Sequence, residues 1–307
     1  MNPKSKAGLI AIAAALLVAA CGGGSTDSML ASAREYLAKN DAKAAIIQIK
    51  NALQKNPDSV EARLLLGSTL LESGDAASAE VELRKALDLK APADQVVPKL
   101  AQSMLALRQY KKLSDEFGKM ELSSGAARAD LQTTLATAYA ALGNTDRFQA
   151  ALTAALAANP NHEPALVMQA RQKAAAKDYD GALAAAEEIV QKVPNSSEAW
   201  RLKGDILNYA KQQPDKALAA YEKSVEIKPD FLAGHSAVLV VLLGKGDLEG
   251  ATKRLEAMKK VAPNHPQTKY LQAQLAYQKK DFKSARELSQ QLLRIAPGYG
   301  KALQLAG

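Results

Sequence analysis

Apolar residues recur at three- and four-residue spacing along most of the chain, which is the spacing of an amphipathic helix. The stretch 60–92 illustrates this pattern. Leu66 and Leu70 mark one apolar stripe, and Ala79 and Leu83 mark a second one after a short polar break. The pattern predicts two consecutive helices in each such stretch rather than strands, in which apolar and polar residues would alternate.

The break between the two stripes carries residues that end one helix and begin the next. Gly74 suits the C-terminal end of a helix because glycine adopts left-handed backbone angles without a steric cost. The Asp75 side chain can accept a hydrogen bond from the first turn of the following helix. Pro92 then stops the second helix, since proline lacks an N–H group. We therefore expect a pair of antiparallel helices, each of about 12 to 14 residues.

This helix pair repeats along the chain. A proline follows the second stripe at seven places, in steps of 35, 68, 34, 35, 34 and 34 residues. The step of 68 residues contains one degenerate unit, about 93–126, which lacks its proline and ends in Ser123-Ser124-Gly125. A fixed period near 34 residues predicts a solenoid of stacked helix pairs. The prolines are Pro57, Pro92, Pro160, Pro194, Pro229, Pro263 and Pro297.

The units resemble the tetratricopeptide repeat (TPR), whose pattern is W-x2-L-G-x2-Y…A-x3-F…P. Trp200 opens this pattern in one unit, although Lys203 stands where leucine is expected. Ala217 and Tyr221 continue it after one extra residue near Gln213. The resemblance implies an all-α fold, a TPR helix-turn-helix solenoid wound as a right-handed superhelix.

The resemblance extends over residues 29–307, with about eight repeats and the start of a ninth. An unfinished ninth repeat leads us to expect a truncated chain or the N-terminal part of a longer protein. Small residues are expected where the two helices of a unit cross closely, as at Gly67 with Ala79 and at Gly204 with Ala217.

The N-terminal segment has the pattern of a secretory signal. Lys4 and Lys6 precede a continuous apolar run, residues 7–20, that ends in small residues. As a helix this run would span roughly 21 Å, short of the ~30 Å hydrocarbon core of a bilayer. A signal peptide over residues 1–20 is therefore favoured over a permanent transmembrane span.

Cys21 is the only cysteine of the chain. Together with Val18-Ala19-Ala20 it resembles the lipobox of bacterial lipoproteins, which implies cleavage before Cys21 and lipidation of its thiol. Residues 21–28 would then be the lipidated cysteine and a flexible Gly/Ser tether. Gly22 resembles the default for the outer membrane of Gram-negative bacteria, facing the periplasm. A free thiol beside an ordinary signal peptide, or retention at the inner membrane, are the alternatives.

Composition argues against several function classes. The chain has 40 Lys and Arg against 32 Asp and Glu, a net charge of +8 without any basic block, so we expect no nucleic-acid partner. His162, His235 and His265 stand far apart, and no catalytic motif is recognisable, so we expect no metal, no cofactor and no enzyme activity. Aromatic residues make up only 5%, so contact with polysaccharide is left open without a pattern that favours it.

A TPR solenoid offers a concave face lined by the first helix of each unit, and such faces bind extended peptides or partner helices. Residues in that register are the candidate contacts with protein partners, with solvated side chains as the simpler alternative. They are Arg34, Thr133, Thr137, Arg171, Arg201, Asp205, Asn208, Tyr270, Gln274 and Tyr277.

Residues 30–105 resemble the TPR-repeat lipoprotein of the PEP-CTERM/exosortase system. This second resemblance implies a membrane-anchored scaffold in exopolysaccharide biosynthesis or export and in protein sorting. The alternatives are a pilotin-like or outer-membrane assembly lipoprotein, or the non-catalytic N-terminal part of a larger enzyme.

Overall fold

The computed structural model describes residues 25–306, and this range contains helices and connecting turns but no strand. Seventeen α-helices and one π-helix follow one another along it. The α-helices are α1 (Thr26–Ala38), α2 (Ala42–Lys55), α3 (Val60–Glu72), α4 (Ala76–Asp88), α5 (Ala93–Ala106), α6 (Tyr110–Phe117), α7 (Gly125–Ala141), α8 (Thr145–Ala158), α9 (Glu163–Ala175), α10 (Tyr179–Lys192), α11 (Ser197–Asp205), α12 (Pro214–Ile227), α13 (Leu232–Gly244), α14 (Leu248–Val261), α15 (Pro266–Gln278), α16 (Phe282–Ile295) and α17 (Gly300–Ala306). The π-helix, Ile206–Ala210, directly follows α11.

The helices form two compact units, the first ending at Ser103 inside α5 and the second beginning at Met104. In the first unit α1 packs on α2 and α3 packs on α4. In the second unit the pairs are α7 with α8, α9 with α10, α11 with α12, α13 with α14, and α15 with α16. The first helices of successive pairs also contact one another from α7 through α17. This stacking of helix pairs confirms the predicted TPR-like helix-turn-helix fold.

Most first helices and most second helices of the pairs begin with a residue whose side chain caps the helix. Serine caps first helices, as where Ser59 Oγ accepts from the Ala62 amide of α3 at 3.2 Å. Aspartate caps most second helices, as where Asp75 Oδ1 accepts from the Ser78 amide of α4 at 3.1 Å. The capping role predicted for Asp75 is thus confirmed, and each cap satisfies an N–H group that has no partner within its own helix.

The turn inside each pair contains one residue with positive φ. Gly74, Gly143 and Gly246 supply it in three turns, with φ of 86°, 69° and 74°. Residues with side chains supply it elsewhere, including Lys177 at 63° and Lys280 at 62°. The same backbone turn therefore forms whether or not the sequence offers glycine.

The core is built from small residues of the second helices and larger ones between them. One alanine of α2, α4, α10, α12, α14 and α16 recurs at the same place in the repeat and is 0–1% exposed: Ala45, Ala79, Ala182, Ala217, Ala251 and Ala285. Tyr139 and Tyr221 are buried at 6% and 0% exposure. Both tyrosines, one on the first helix α7 and one on the second helix α12, therefore serve packing.

Two glycines of first helices lie against side chains of the following helix. A Cβ atom on Gly67 would stand 2.6 Å from Leu83 Cγ, and one on Gly204 would stand 2.4 Å from Tyr221 Cε1. The expectation of close crossings is correct, but the nearest atoms belong to Leu83 and Tyr221 rather than to the alanines Ala79 and Ala217. The absence of a side chain at each glycine therefore makes room for the large side chain of the following helix.

Two irregularities fall where the sequence departs from the repeat. The degenerate third unit has a second helix, α6, of only 8 residues, and α7 after it is lengthened to 17. The extra residue of the sixth unit lies in the π-helix, where the Lys211 amide donates to the Ile206 carbonyl at 3.0 Å. A wider helical turn thus accommodates the insertion that the sequence located near Gln213.

The predicted signal peptide, residues 1–20, and Cys21 lie outside the described residues. Helix α1 starts at Thr26, with Ser25 as its cap, so the last residues of the predicted tether, 26–28, are helical. Within residues 25–306 no helix is both long and apolar enough to cross a membrane.

Candidate functional site

The second unit contains a groove of about 740 Å³ between α7, α8, α9 and α11, here called the α9 groove. Its apolar lining consists of Ala140, Phe148, Pro164, Val167, Met168 and Ala175. Its polar lining consists of Thr133, Thr137, Glu163, Arg171, Gln172 and Glu198.

Helical periodicity explains why these side chains share one surface. On α9, Pro164, Met168 and Arg171 follow one another at four- and three-residue spacing and so lie on one face. On α7, Thr133 and Thr137 follow the same spacing. First helices of neighbouring pairs contact each other, so these faces form one continuous surface in the second unit.

The threonine hydroxyls are already engaged with their own helix. Thr133 Oγ1 donates to the Ala129 carbonyl at 2.7 Å, and Thr137 Oγ1 donates to the Thr133 carbonyl at 3.1 Å. Their protons are therefore used inside α7, and each hydroxyl oxygen can act toward a ligand only as an acceptor.

Glu198 is the centre of the charged side of the groove. Arg171 of α9 forms an ion pair with it, and Arg201 donates to both of its carboxylate oxygens at 3.1 and 3.2 Å. Burial acts to raise the pKa of Glu198, but the hydrogen bonds and charges of Arg201 and Arg171 outweigh it and hold that pKa below its ordinary value. Glu198 is therefore a carboxylate at neutral pH.

The charged network continues away from the groove toward α12. Arg201 Nη1 lies 2.5 Å from Asp205 Oδ2, and the Tyr221 hydroxyl donates to Asp205 Oδ1 at 2.9 Å. Burial raises the pKa of Asp205 and, together with the Asp205 charge, raises the pKa of Tyr221 far above its ordinary value, so Tyr221 remains a donor. The network ties α9, α11 and α12 together and fixes the Arg171 side of the groove.

The predicted contacts divide into three groups. Thr133, Thr137 and Arg171 line the α9 groove. Arg201 and Asp205 reach it only through Glu198, by the contacts given above. Their role in binding stays a prediction.

The other predicted contacts do not line this groove. On α15, Tyr270 stacks on Tyr299 with ring centroids 5.3 Å apart, and Tyr277 packs edge-on against Phe282, also at 5.3 Å. Gln274, which stands between these two tyrosines in the sequence, is half-buried.

Two further predicted contacts are also absent from the lining. Asn208 belongs to the π-helix, and Arg34 lies in the first unit, where it pairs with Glu61. Asn208 is half-buried and Arg34 is exposed.

Sequence reasoning missed Phe148, Met168 and Glu198. Phe148 comes from a second helix, which the register argument did not consider. Glu198 had a signal, because it follows Arg171 by 27 residues just as Glu61 follows Arg34 by 27. That recurrence of an Arg–Glu pair marks contacts between successive first helices.

The three histidines take structural places near helix starts. His162 and His265 are the N-cap residues of α9 and α15, and His265 Nδ1 accepts from the Gln267 amide at 3.1 Å. His235 Nε2 lies 2.8 Å from the Pro229 carbonyl oxygen. Over the described part of the chain, no group of three or more His, Cys, Asp or Glu could hold a metal ion.

Comparison with protein families gives consistent matches along the chain. Three family models, each described as a tetratricopeptide repeat, match residues 36–103, 129–162, 167–230 and 240–300. These matches indicate no catalytic family. No curated protein sequence matches the chain.

Solved structures of similar fold exist at low sequence identity. Yeast Tom70 matches with a TM-score of 0.64 and 18% identity over 92% of this chain and 63% of that chain. A chain of the APC/C hetero-tetramer Cut9–Hcn1 matches with a TM-score of 0.61 and 14% identity over 91% of this chain and 55% of that chain. The chain therefore spans less than two thirds of either relative, and the likeness shows the fold alone.

A third similar structure is that of pilF from Pseudomonas aeruginosa. Its TM-score is 0.48 at 19% identity, over 80% of this chain and 95% of that chain. This likeness is too loose to favour any of the functional alternatives.

Proposed function

Because the chain belongs to the tetratricopeptide repeat superfamily, we propose that it is a non-enzymatic scaffold whose α9 groove binds a segment of a partner protein. The observation that carries this proposal is the groove itself. It combines an apolar surface from Phe148, Val167 and Met168 with a fixed charged side at Arg171 and Glu198. Concave surfaces of this composition take up apolar side chains of a ligand while a few polar groups orient it.

The bound segment is an extended peptide or a helix with apolar side chains. The groove volume of about 740 Å³ accommodates several side chains, and only three of its lining residues carry charge. Two of the three, Arg171 and Glu198, neutralise each other. A strongly charged ligand would therefore find little to balance it, whereas an apolar one would bury surface against Met168 and Phe148.

We further propose that the scaffold is anchored through lipid on Cys21, in the outer membrane and facing the periplasm. The support is the sequence Val18-Ala19-Ala20-Cys21 behind the apolar run 7–20. Each buried lipid CH₂ contributes about 0.8 kcal/mol, and two or three acyl chains give stable anchoring.

The process we propose is exopolysaccharide biosynthesis or export together with PEP-CTERM/exosortase protein sorting. Its support is the resemblance of residues 30–105 to the lipoproteins of that system. A pilotin-like or outer-membrane assembly lipoprotein, and the N-terminal part of a larger enzyme, remain the competing functions. The identity of the partner in the groove separates these functions.

Site-directed photo-crosslinking tests the groove. A photoreactive amino acid replaces Thr137, which is exposed in the groove, or Thr153, which is exposed on α8 outside it. In cells producing the full chain, we expect one defined protein adduct from residue 137 and none from residue 153. The additional change Met168→Lys should abolish the adduct, because it places a charge in the apolar surface, whereas Thr153→Lys should leave it intact.

The outcome of this experiment distinguishes the proposals. Equal adducts from both residues, or none from residue 137, would contradict groove binding. A polysaccharide-export or exosortase component in the adduct supports the proposed process. A secretin or an outer-membrane assembly protein would replace that process by a competing one while leaving the scaffold proposal in place.

The anchor has its own test. Cys21→Ser should release the chain from membranes and stop incorporation of a palmitate analogue. Adding Ser25→Cys to that variant should not restore either, since the new thiol lies outside the lipobox. Membrane retention of a correctly cleaved Cys21→Ser chain would refute the lipid anchor.

A further inference from the structure

The second unit contains another concavity, a cleft of about 630 Å³ lined by α10, α11, the π-helix and α12. We call it the lysine cleft, after Lys203, Lys211, Lys216 and Lys223 in its lining. Helices α10 and α12 each pack on α11, so the cleft follows α11 between two successive second helices.

The lysine cleft and the α9 groove use different sides of α11. Glu198 lines the groove, whereas Trp200 and Lys203 line the cleft. At about 100° per residue, Lys203 lies about 140° around the helix from Glu198, and Trp200 about 160°. A ligand in one concavity therefore does not occupy the other.

The charges of the cleft are unbalanced along α12. Two of the lysines have carboxylate partners on α10, namely Lys211 with Asp180 and Lys203 with Glu187 at 3.1 Å.

The other two lysines, Lys216 and Lys223, find no carboxylate within the lining. Lys216 is exposed, and the partner of Lys223 is Glu226, 2.8 Å away and outside the lining. The Lys223–Glu226 pair is solvent-exposed and therefore weak, so the α12 side of the cleft offers a ligand carboxylate the charge of Lys216 and, in exchange for Glu226, that of Lys223.

Between these charges lies an apolar surface. Leu183, Leu207, Ala219 and Ala220 line the cleft together with Trp200, the only tryptophan of the chain. The Trp200 indole N–H donates to the Pro194 carbonyl at 2.9 Å, and Leu183 and Trp200 pack against both neighbouring core clusters. The surface is therefore held in place before any ligand arrives.

From these observations we propose that the lysine cleft binds an acidic amphipathic helix of a protein partner. Lys216 and Lys223 are seven residues apart on α12, about 10 Å along the helix axis. A helix lying along the cleft meets both lysines if it carries Asp or Glu at i and i+7. Leucine-sized residues at i+3 and i+4 then lie on the same face and contact Trp200 and Ala219, the part of the apolar lining that solvent reaches.

This second surface gives the scaffold two separate docking places on one helix. Because the two surfaces use different sides of α11, an acidic helix bound in the cleft leaves the groove open to a second ligand. The inference does not depend on the groove, because its charges and its apolar surface belong to α10, α11 and α12 alone.

Fluorescence of Trp200 tests the proposal directly. The probe is an 18-residue designed helix without tryptophan, with Glu at i and i+7 and Leu at i+3 and i+4. We expect it to shift the Trp200 emission of the full chain in a saturable titration. A peptide with Lys at the two acidic places should not bind.

Charge-reversal variants identify the binding surface. The double variant Lys216→Glu/Lys223→Glu should lower the affinity for the probe about tenfold or more, because like charges then face each other. The matched control, Lys253→Glu/Lys259→Glu on α14, makes the same change of net charge away from the cleft and should alter the affinity less than about twofold. All four lysines have solvent-accessible side chains, so circular dichroism should show both variants folded.

Three results would overturn the proposal. The first is no response to the acidic probe, and the second is equal weakening by the two double variants. The third is an emission shift with vesicles of anionic phospholipid but none with the probe, which would assign the cleft to a membrane surface instead.

Discussion

At the residue scale, a missing Cβ atom decides how closely two helices of a pair approach. Gly204 faces the ring of Tyr221, which is completely buried and whose hydroxyl is held by Asp205. The ring therefore has no free space into which it could move. The same logic applies to Gly67, which faces Leu83.

Gly204→Ala should destabilise the protein. The new methyl group would stand 2.4 Å from Tyr221 Cε1. Overpacking of this kind costs about 1–3 kcal/mol, which exceeds the ~0.5–1 kcal/mol gained from replacing glycine within a helix. Urea unfolding followed by circular dichroism measures the difference.

Gly244→Ala is the matched control, because a Cβ atom at this last residue of α13 would meet nothing within 4 Å. It should leave stability unchanged or raise it. Equal destabilisation by the two variants would mean that the loss of glycine itself matters, and not the contact with Tyr221.

Glu82 should make stability depend on acid pH. Burial acts to raise its pKa, but hydrogen bonds from Arg63 at 2.5 Å and Lys85 at 3.0 Å outweigh it and hold the pKa below the ordinary 4.5. A lowered folded-state pKa adds stability that is complete above the unfolded-state value and lost as pH falls through the folded-state value. Glu82→Gln should therefore cost about 1 kcal/mol at neutral pH and progressively less below pH 4.5.

Urea unfolding at several pH values checks this expectation. Glu72→Gln, at an exposed glutamate of α3, serves as the control and should change little at any pH. If the difference in unfolding free energy between Glu82→Gln and the parent chain stayed constant down to the lowest pH, the lowered pKa of Glu82 would be contradicted.

Partners across a helix pair could not be predicted at this scale. Spacing along one helix shows that Gly67 and Ala79 are small residues of the repeat, but not which atoms they meet. The contact depends on the reach and rotamer of Leu83 and Tyr221, which the apolar pattern does not specify.

At the scale of elements, the π-helix shows how a repeat absorbs an insertion. The Lys211 amide donates to the carbonyl five residues earlier, and the Gln213 amide donates to the Leu207 carbonyl at 2.8 Å. The wide turn leaves Tyr209 69% exposed. The extra residue therefore bulges outward while Leu207 stays in the core.

Deleting Tyr209 should return this segment to an ordinary α-helix. The fold should remain, with a melting temperature within a few degrees of the parent, because a wide turn is replaced by regular hydrogen bonds. Thermal unfolding followed by circular dichroism gives the result.

Deletion of Tyr277 is the matched control, since this tyrosine is also exposed near the end of a first helix, α15, which contains no π-turn. This deletion should lower the free energy of unfolding by about 2 kcal/mol or more, because the connection to α16 must then stretch. An equal loss of stability from the two deletions would show that the π-helix does not contain an extra residue that the fold can do without.

Helix ends were largely predictable, and the π-helix was not. Caps such as Asp75 and prolines such as Pro57 mark boundaries by local chemistry, and α2 ends at Lys55, just before Pro57. The period of the repeat indicated that one extra residue stands near Gln213. Its location at Ile206–Ala210 depends on which side chains the neighbouring helices keep buried, and this is tertiary information.

At the scale of the whole molecule, each helix pair of the second unit from α7/α8 to α15/α16 packs on the next pair along the chain. Stability in such an array is roughly a sum over pairs and the interfaces between adjacent pairs. A defect in one pair should therefore weaken that pair and its neighbours first.

Ala182→Arg should open the α9–α12 region. Ala182 is 0% exposed, so arginine there adds volume and a charge without a partner, with an expected cost of about 3 kcal/mol or more. Amide hydrogen exchange should rise in α9 to α12 while α15 and α16 keep most of their protection.

Ala184→Arg, two residues along α10 on an exposed site, should change neither stability nor exchange. Uniform loss of protection throughout α7–α16 in the Ala182→Arg variant would contradict the additive description.

The location of the groove was only partly predictable at this scale. Register placed Thr133, Thr137 and Arg171 on one surface because first helices stack. The same register on α15 carries Tyr270 and Tyr277, whose rings pack on Tyr299 and Phe282 instead. Whether a stack of first helices leaves a groove depends on side-chain size at facing sites, which the period of 34 does not contain.

The turns inside the helix pairs have a consequence for engineering. Lys177, Gln212 and Lys280 hold left-handed backbone angles that cost a residue with a side chain about 1–2 kcal/mol, while Gly74 fills the same place without that cost. Glycine at these three sites relieves the strain and adds some unfolded-chain entropy, for a net gain of up to about 1 kcal/mol each. The sites belong to separate turns, so the gains should add. A more stable form suited to structural work with bound partners can be built from these turns, because none of the three side chains lines either concavity.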